Sequence, residues 1–349
     1  MAQLLTHEAH WYVTLFNAIC ALITNPLLIA VSLTVETNKI GSYRFLLATF
    51  AAVDIATSLS HFVNLEDIYI TKEGYLVVAT NFLEYPNWVG VTGCVVFAST
   101  YYQSFILFSF HFVYRYITVC DPPSLRWSRE RPWLVWLAVC TSIDILYTIG
   151  ILLPILHSYF PIPKKRAFFN NFTRDDYGIE LKREPFPGSC PILFRVELSP
   201  GEWEWNLVDL AGIFWVLGIV GTTAVVIVFC WTAIHKKMLQ FGQFGSPSAE
   251  RLQRQLYRAL IVQTLVPCVV CYLPLAACPL SPFSGHDPEG LGRLLISTVT
   301  FFPVLDPILI IANVAPYRQV IVLLFYKSSA TTSAPIPMSM FTTVHAAST

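Results

Sequence analysis

Charge is what this sequence has least of. Asp, Glu, Lys and Arg make up 13% of its 349 residues, against about a quarter in soluble domains. Hydrophobic residues reach 55%, with 25 Phe, 16 Tyr and 9 Trp. A soluble protein of this composition could not cover its own surface. The same numbers exclude disorder, since disordered chains are rich in net charge and poor in aromatics. A basic excess is missing too: 22 Lys and Arg balance 22 Asp and Glu, which leaves no footprint for nucleic acid. The chain reads as an integral membrane protein.

Catalytic signatures are absent as well. The sequence holds no His-Glu-X-X-His, no phosphate-cradling glycine loop and no nucleophile elbow, so neither a zinc hydrolase nor a serine hydrolase has its parts. No Gly-X-Gly-Asp context supports an intramembrane aspartyl protease. No enzyme activity, metal or cofactor is expected. A channel or small-solute transporter is the competing class, but the matched broken helices and repeat symmetry of many transporters are not found.

What the sequence does hold is length in apolar runs. A membrane helix needs about 20 mostly apolar residues, and seven stretches qualify: 11–35, 45–63, 88–114, 133–156, 207–231, 259–278 and 294–314. They contain only four formal charges, Asp54, Asp144, Asp209 and Asp306. The expected fold is an all-α bundle of seven transmembrane helices, with a long loop at 157–206 and a mobile Ser/Thr-rich cytoplasmic tail at 327–349.

Lys and Arg in the short loops set the orientation. With the N-terminus outside, thirteen of them fall on the inner side, among them Arg115, Arg251, Arg254, Arg258 and Arg318. Lys72 and Arg293 fall in short outer loops. Asn171-Phe172-Thr173, the one glycosylation sequon, lies in the 157–206 loop, which places that loop outside if used. The expectation is N-terminus out and C-terminus in. Cys94 and Cys190 both face the oxidising side, so a bond between them would pin the long loop over the bundle. Cys190 with Cys278, or no bond, are the alternatives.

His111-Phe-Val-Tyr-Arg115-Tyr closes the third span, and Arg254-Gln-Leu-Tyr-Arg-Ala-Leu-Ile-Val-Gln263-Thr-Leu-Val-Pro267 leads into the sixth. Cys271-Tyr-Leu-Pro274 and Pro303-Val-Leu-Asp306-Pro307 follow, then Tyr317-Arg318. In this order they resemble the nematode serpentine chemoreceptors of the Str superfamily, over residues 11–326. The resemblance implies a G-protein-coupled receptor of chemosensory neurons, at the plasma membrane of a sensory cilium. Its implied partners are a small odorant and a heterotrimeric G protein.

The residues supply candidate sites. Asn25, Asp54 and Asp306 sit about 12–15 Å from the inner ends of their helices and form a polar layer, either a hydrogen-bonded packing layer or an ion site. On the third helix, positions 94, 98, 101, 105, 108, 112 and 115 share one face. That stripe puts Tyr101 and Phe105 toward a ligand and Arg115 at the inner mouth. Arg115 is the expected G-protein contact, joined by the basic stripe Arg251, Arg254 and Arg258, which could alternatively meet phospholipid headgroups. Phe301 and Phe302 are expected to complete an apolar ligand site for a small, neutral odorant. Asp209, near the outer end of the fifth span, is the one acid placed to meet a cationic ligand, or equally to be hydrated at the membrane surface.

Overall fold

The computed structural model describes residues 4–34, 43–122, 133–158, 163–177, 189–199, 201–240, 247–269, 273, 276, 279–280, 283 and 290–330. Among them, six helical spans are long and apolar enough to cross a membrane. They are α1 (His7–Thr34), α2 (Tyr43–Asn64), α3 (Asn87–Cys120), α4 (Trp133–Ser158), α6 (Leu207–Gln240) and the pair α8 (Gly292–Val299) and α9 (Phe302–Asn313). Helices are the expected answer, because hydrocarbon offers backbone N–H and C=O groups no partner outside the chain. The sixth predicted span starts in α7 (Pro247–Pro267), and most of its remainder to residue 278 lies outside the described residues.

The helices overrun their predicted limits toward the face opposite the N-terminus. Both α3 and α6 have 34 residues, about 51 Å each at 1.5 Å per residue, so their ends stand clear of a ~30 Å hydrocarbon layer. Asp121 stops α3 in the left-handed region, φ 45°, its N–H closing on the Ile117 carbonyl. The seventh span is broken between α8 and α9 because Pro303 has no N–H to offer the turn before it. A further helix, α10 (Ala315–Ala330), carries the chain past the predicted start of the tail at Lys327. Residues 331–349 lie outside the described residues.

The helical bundle carries an addition that was not expected. The loops on the N-terminal face are folded as β-structure: β1 (Glu66–Thr71), β2 (Gly74–Ala79) and β3 (Ser189–Leu193) make an antiparallel sheet in that order. A second sheet pairs β4 (Arg195–Ser199) with β5 (Glu202–Trp205). Ahead of β3 in sequence, the long loop also contains α5 (Pro163–Tyr177). Strands of four to six residues beside long apolar helices leave almost no signal of their own, but β2 is rich in β-branched and aromatic residues. Gly74 is required where the hairpin meets β3, since a side chain there would collide with the Ile192 carbonyl.

The sheet is the lid of the bundle. Ile68 and Ile70 of β1 pack on Phe97 and Tyr101 of α3 and on Ile296 and Val299 of α8. Ile192 and Phe194 join a core shared by α3, α4 and α6. At the opposite end, α1, α2, α9 and α10 close around Tyr317, which is fully buried. Large apolar side chains of α4 and α6 point away from these cores, Leu146 at 70% and Val225 at 69% exposure, as faces turned to lipid do.

Candidate functional site

α1 carries a polar stripe, His10, Thr14, Asn17, Asn25 and Ser32, all buried. In an apolar helix such a stripe marks a seam against another helix, and here the partner is the seventh span. His10 Nδ1 meets the Ser297 hydroxyl at 2.6 Å, Asn17 donates to Thr300 Oγ1 at 2.6 Å, and Asn25 donates to the Pro303 carbonyl at 2.7 Å. The last bond satisfies a carbonyl close to the helix break.

The polar layer assembles. Asn25, Asp54 and Asp306 are each no more than 1% exposed. Asn25 fastens α1 to α9, and Asp54 of α2 lies within electrostatic reach of Asp306 of α9. The three helices therefore bring their polar groups to one depth. Asp144 stands apart from this layer, its Oδ2 accepting from Gln103 of α3 at 3.1 Å.

The stripe along α3 also holds: Cys94, Tyr101, Phe108, Phe112 and Arg115 are buried, and positions 98 and 105 partly so. Arg115 is 4% exposed, with its guanidinium carbon 3.9 Å from the centre of the Tyr43 ring. The Tyr43 hydroxyl in turn meets His111 Nδ1 at 3.0 Å, and Tyr114 stacks on the same ring. Arg115 Nε and Nη2 make no hydrogen bond. A buried cation is thus held by the face of an aromatic ring instead of a carboxylate, an arrangement that leaves it a charge with donors in reserve. Arg254 and Arg258 are exposed on α7, while the side chain of Arg251 lies outside the described residues.

At the N-terminal face the structure reveals a buried network. His61 Nδ1 lies 2.5 Å from Glu66 Oε2, and Asn64 donates to Glu66 Oε1 at 2.8 Å and to the Gly93 carbonyl at 2.9 Å. Gly93 is needed there, because a Cβ would sit 2.6 Å from Asn64 Oδ1. His10 Nε2 donates to the Glu66 carbonyl at 3.1 Å. Arg293 pairs with Asp67 at 2.5 Å and donates to the Leu5 carbonyl at 3.0 Å. Burial pushes the Glu66 carboxyl well above the ordinary carboxylate range. Counting Arg293 as a loop charge missed this, since nothing local says that a strand will fold back over it. The α1 stripe was the readable clue.

The predicted ligand residues divide. Tyr101 is buried, with Phe105 against it at 5.8 Å between ring centroids. Phe302 packs deeper, with Phe50 and Phe108. Phe301 is a correction: it is 39% exposed and turned out of the bundle, because successive helical residues point about 100° apart and both phenylalanines cannot face inward. Asp209 answers to neither of its two expected roles. It is bound to Lys165 of α5 at 2.6 Å and accepts the Leu193 N–H at 2.9 Å, so its charge is already answered within the fold. Cys94 and Cys190 are both buried and their side chains meet, as two free thiols and not as a disulfide. Cys278 lies outside the described residues. Asn171 is exposed on α5.

Comparison with known proteins agrees with this architecture. The family model described as serpentine type 7TM GPCR chemoreceptor Str matches residues 11–322. Serpentine receptor class r-10 of Caenorhabditis elegans is 24% identical, over 81% of both chains. The G-protein coupled receptor str-33 of the same organism is 23% identical over 90% of each. Serpentine receptor class J-38, also from C. elegans, is 26% identical over 92% of this chain and 94% of its own. A multi-pass helical bundle with a buried arginine at one end of its third helix, and a match running almost from end to end, make this chain a member of the Str family of serpentine seven-transmembrane chemoreceptors.

Proposed function

We propose that the protein binds a small, neutral, largely apolar odorant near the N-terminal face and activates a heterotrimeric G protein at the opposite one. The α3 stripe carries this reading: one helix face runs from Cys94 under the sheet, past Tyr101 and Phe105, to Arg115 at the other end. Ligand contacts and effector contacts share a rigid element. In this reading the N-terminal face is extracellular, Asn171 is glycosylated and Cys94 is bonded to Cys190. Arg115, Arg251, Arg254 and Arg258 form the cytoplasmic contact. The protein works at the plasma membrane, in the sensory cilium of a chemosensory neuron. The polar layer of Asn25, Asp54 and Asp306 links α1, α2 and α9, the helices whose relative movement would carry the signal.

The test is nucleotide exchange on a co-expressed G protein, driven by a panel of small neutral volatiles. Arg115→Ala should keep the protein at the cell surface and abolish exchange. A volatile-gated current that persists without any G protein would establish the channel alternative instead.

A further inference from the structure

The hairpin of β4 and β5 turns an aromatic face outward. Its register pairs Arg195 with Trp205 and Glu197 with Trp203, so these four side chains stand on one side of the hairpin. The other side holds Val196, which packs on the lid core of Tyr69, Leu76 and Phe169. All of β5 is exposed, Trp203 at 42% and Trp205 at 39%. Open indole rings are poorly placed in bulk water, but they suit the level where an apolar layer meets a polar one.

The height of this face is set by α6. Trp205 stands two residues before Leu207, the first residue of that apolar helix, which is 74% exposed. Phe283 joins the hairpin to the helix. Its ring stacks on Trp205 at 5.9 Å between centroids and meets Phe214 at 6.2 Å. Phe214 lies seven residues into α6, about 10 Å deeper, and is exposed on the surface turned to lipid. The aromatic surface therefore runs from the lipid-facing side of α6 up onto the hairpin, at the level of the headgroups. A soluble partner could not follow it down into the hydrocarbon layer; a lipid molecule spans both levels.

Arg195 supplies the charge. Its guanidinium carbon lies 4.1 Å from the centre of the Trp205 ring, and its Nε makes no hydrogen bond. Among the described residues no carboxylate pairs with it. Glu197, the acid on the same face, accepts the Gly201 N–H at 3.0 Å at the hairpin turn, and Glu73 receives only the Arg195 backbone N–H, on its carbonyl. We propose that Arg195, Trp203 and Trp205 form a docking surface for a phospholipid of the leaflet on the N-terminal face. The guanidinium donates to the phosphate, and the rings lie against the glycerol and the first acyl carbons. A guanidinium matches phosphate with its fork of donors and can stack on an aromatic face at the same time. Because β4 follows β3 directly, a lipid held here fastens the lid to the membrane.

The experiment is hydrogen–deuterium exchange of the full chain in two kinds of nanodisc. One is made of phosphatidylcholine, the other of digalactosyl diacylglycerol, which is uncharged and has no phosphate. Backbone amides between Arg195 and Trp205 should exchange about fivefold more slowly in phosphatidylcholine, the worth of one exposed hydrogen bond to a charged group. Arg195→Gln should bring the two lipids to within about twofold of each other, while the amides of β1 and β2 keep their wild-type rates. A role for Arg195 in hairpin structure alone would speed exchange in both lipids and leave their ratio intact. Trp203→Ala, which withdraws one ring and keeps the charge, should narrow the ratio in part, and it decides if Arg195→Gln does not reach the membrane. Equal exchange in the two lipids, or a ratio that survives both substitutions, would overturn the docking surface. Inorganic phosphate added to the galactolipid discs should change nothing; slowed exchange there would overturn the lipid source in favour of a free anion.

Discussion

Lys165 Nζ sits 2.6 Å from one carboxylate oxygen of Asp209 and 2.7 Å from the other, and both side chains are buried. The pair ties α5 of the long loop to the first turn of α6, and the Leu193 N–H on the same carboxylate adds the end of β3. A carboxylate so placed is a clasp for the lid, not a counter-ion for an amine. Lys165→Ala strands a buried charge and should cost about 3–5 kcal/mol of stability, read as a lowered unfolding temperature in nanodiscs. The double change Lys165→Met with Asp209→Leu should recover much of that loss. Unchanged agonist selectivity in a surviving Asp209→Asn variant would confirm that no cationic ligand is read here.

Glu66 gives the lid a pH dependence. Its carboxyl is shifted upward by burial from the ordinary 4.5, so the folded state holds its proton more tightly than the unfolded one. The contribution to stability is fully present below the unfolded value. It is lost as pH rises toward the folded one, by about 1.4 kcal/mol per unit. Unfolding temperature measured from pH 7 upward, above the range in which histidines titrate, should therefore decline in the wild type. Glu66→Gln, which mimics the protonated acid, should flatten that decline and overtake the wild type at the alkaline end. A wild-type profile that rises with pH would mean that Glu66 is ionised and paired with a charged histidine.

The bundle was legible in the sequence because transmembrane helices are written in long apolar runs, and the α3 stripe because Cys94 and Arg115 bracket one helix face. Asn25, Asp54 and Asp306 could be set at one depth by counting rise alone. The lid could not be read that way. Its strands are short, and Glu66, Asp67 and Arg293 look like solvated loop charges until the hairpin folds over α2 and α8. Phe301 failed for a different reason: it is next to Phe302, and successive helical residues point about 100° apart, so only one of the two could face inward.

Topology and the lid bond can be tested on one sample. Asn171 is exposed on α5, and Cys94 and Cys190 meet beneath the sheet. Glycosidase should increase the mobility of the expressed protein, and Asn171→Gln should remove that effect. Peptide mapping without reductant should recover Cys94 linked to Cys190, and finding Cys190 free or joined to Cys278 would refute the bond. A bond closing this long a loop contributes about 2–5 kcal/mol, so Cys190→Ser should reduce surface delivery.

Tyr43 holds Arg115 by its ring, 3.9 Å from the guanidinium, and holds itself by the hydroxyl contact with His111 at 3.0 Å. The two contacts predict different variants. Tyr43→Phe keeps the ring and gives up the hydroxyl contacts with His111 and Arg115, so it should cost about 1 kcal/mol of stability and raise basal nucleotide exchange less than loss of the ring does. Tyr43→Leu removes the ring, and with it about 2 kcal/mol of cation–π attraction at a desolvated site. The freed guanidinium, with Nε and Nη2 already unpaired, then turns toward the G protein. Basal exchange without agonist should rise by about tenfold or more, as expected for a loss of that size, and adding Arg115→Ala should bring it back down. If Tyr43→Leu reaches the surface and basal exchange stays flat, Tyr43 is packing alone and the restraint on Arg115 lies elsewhere.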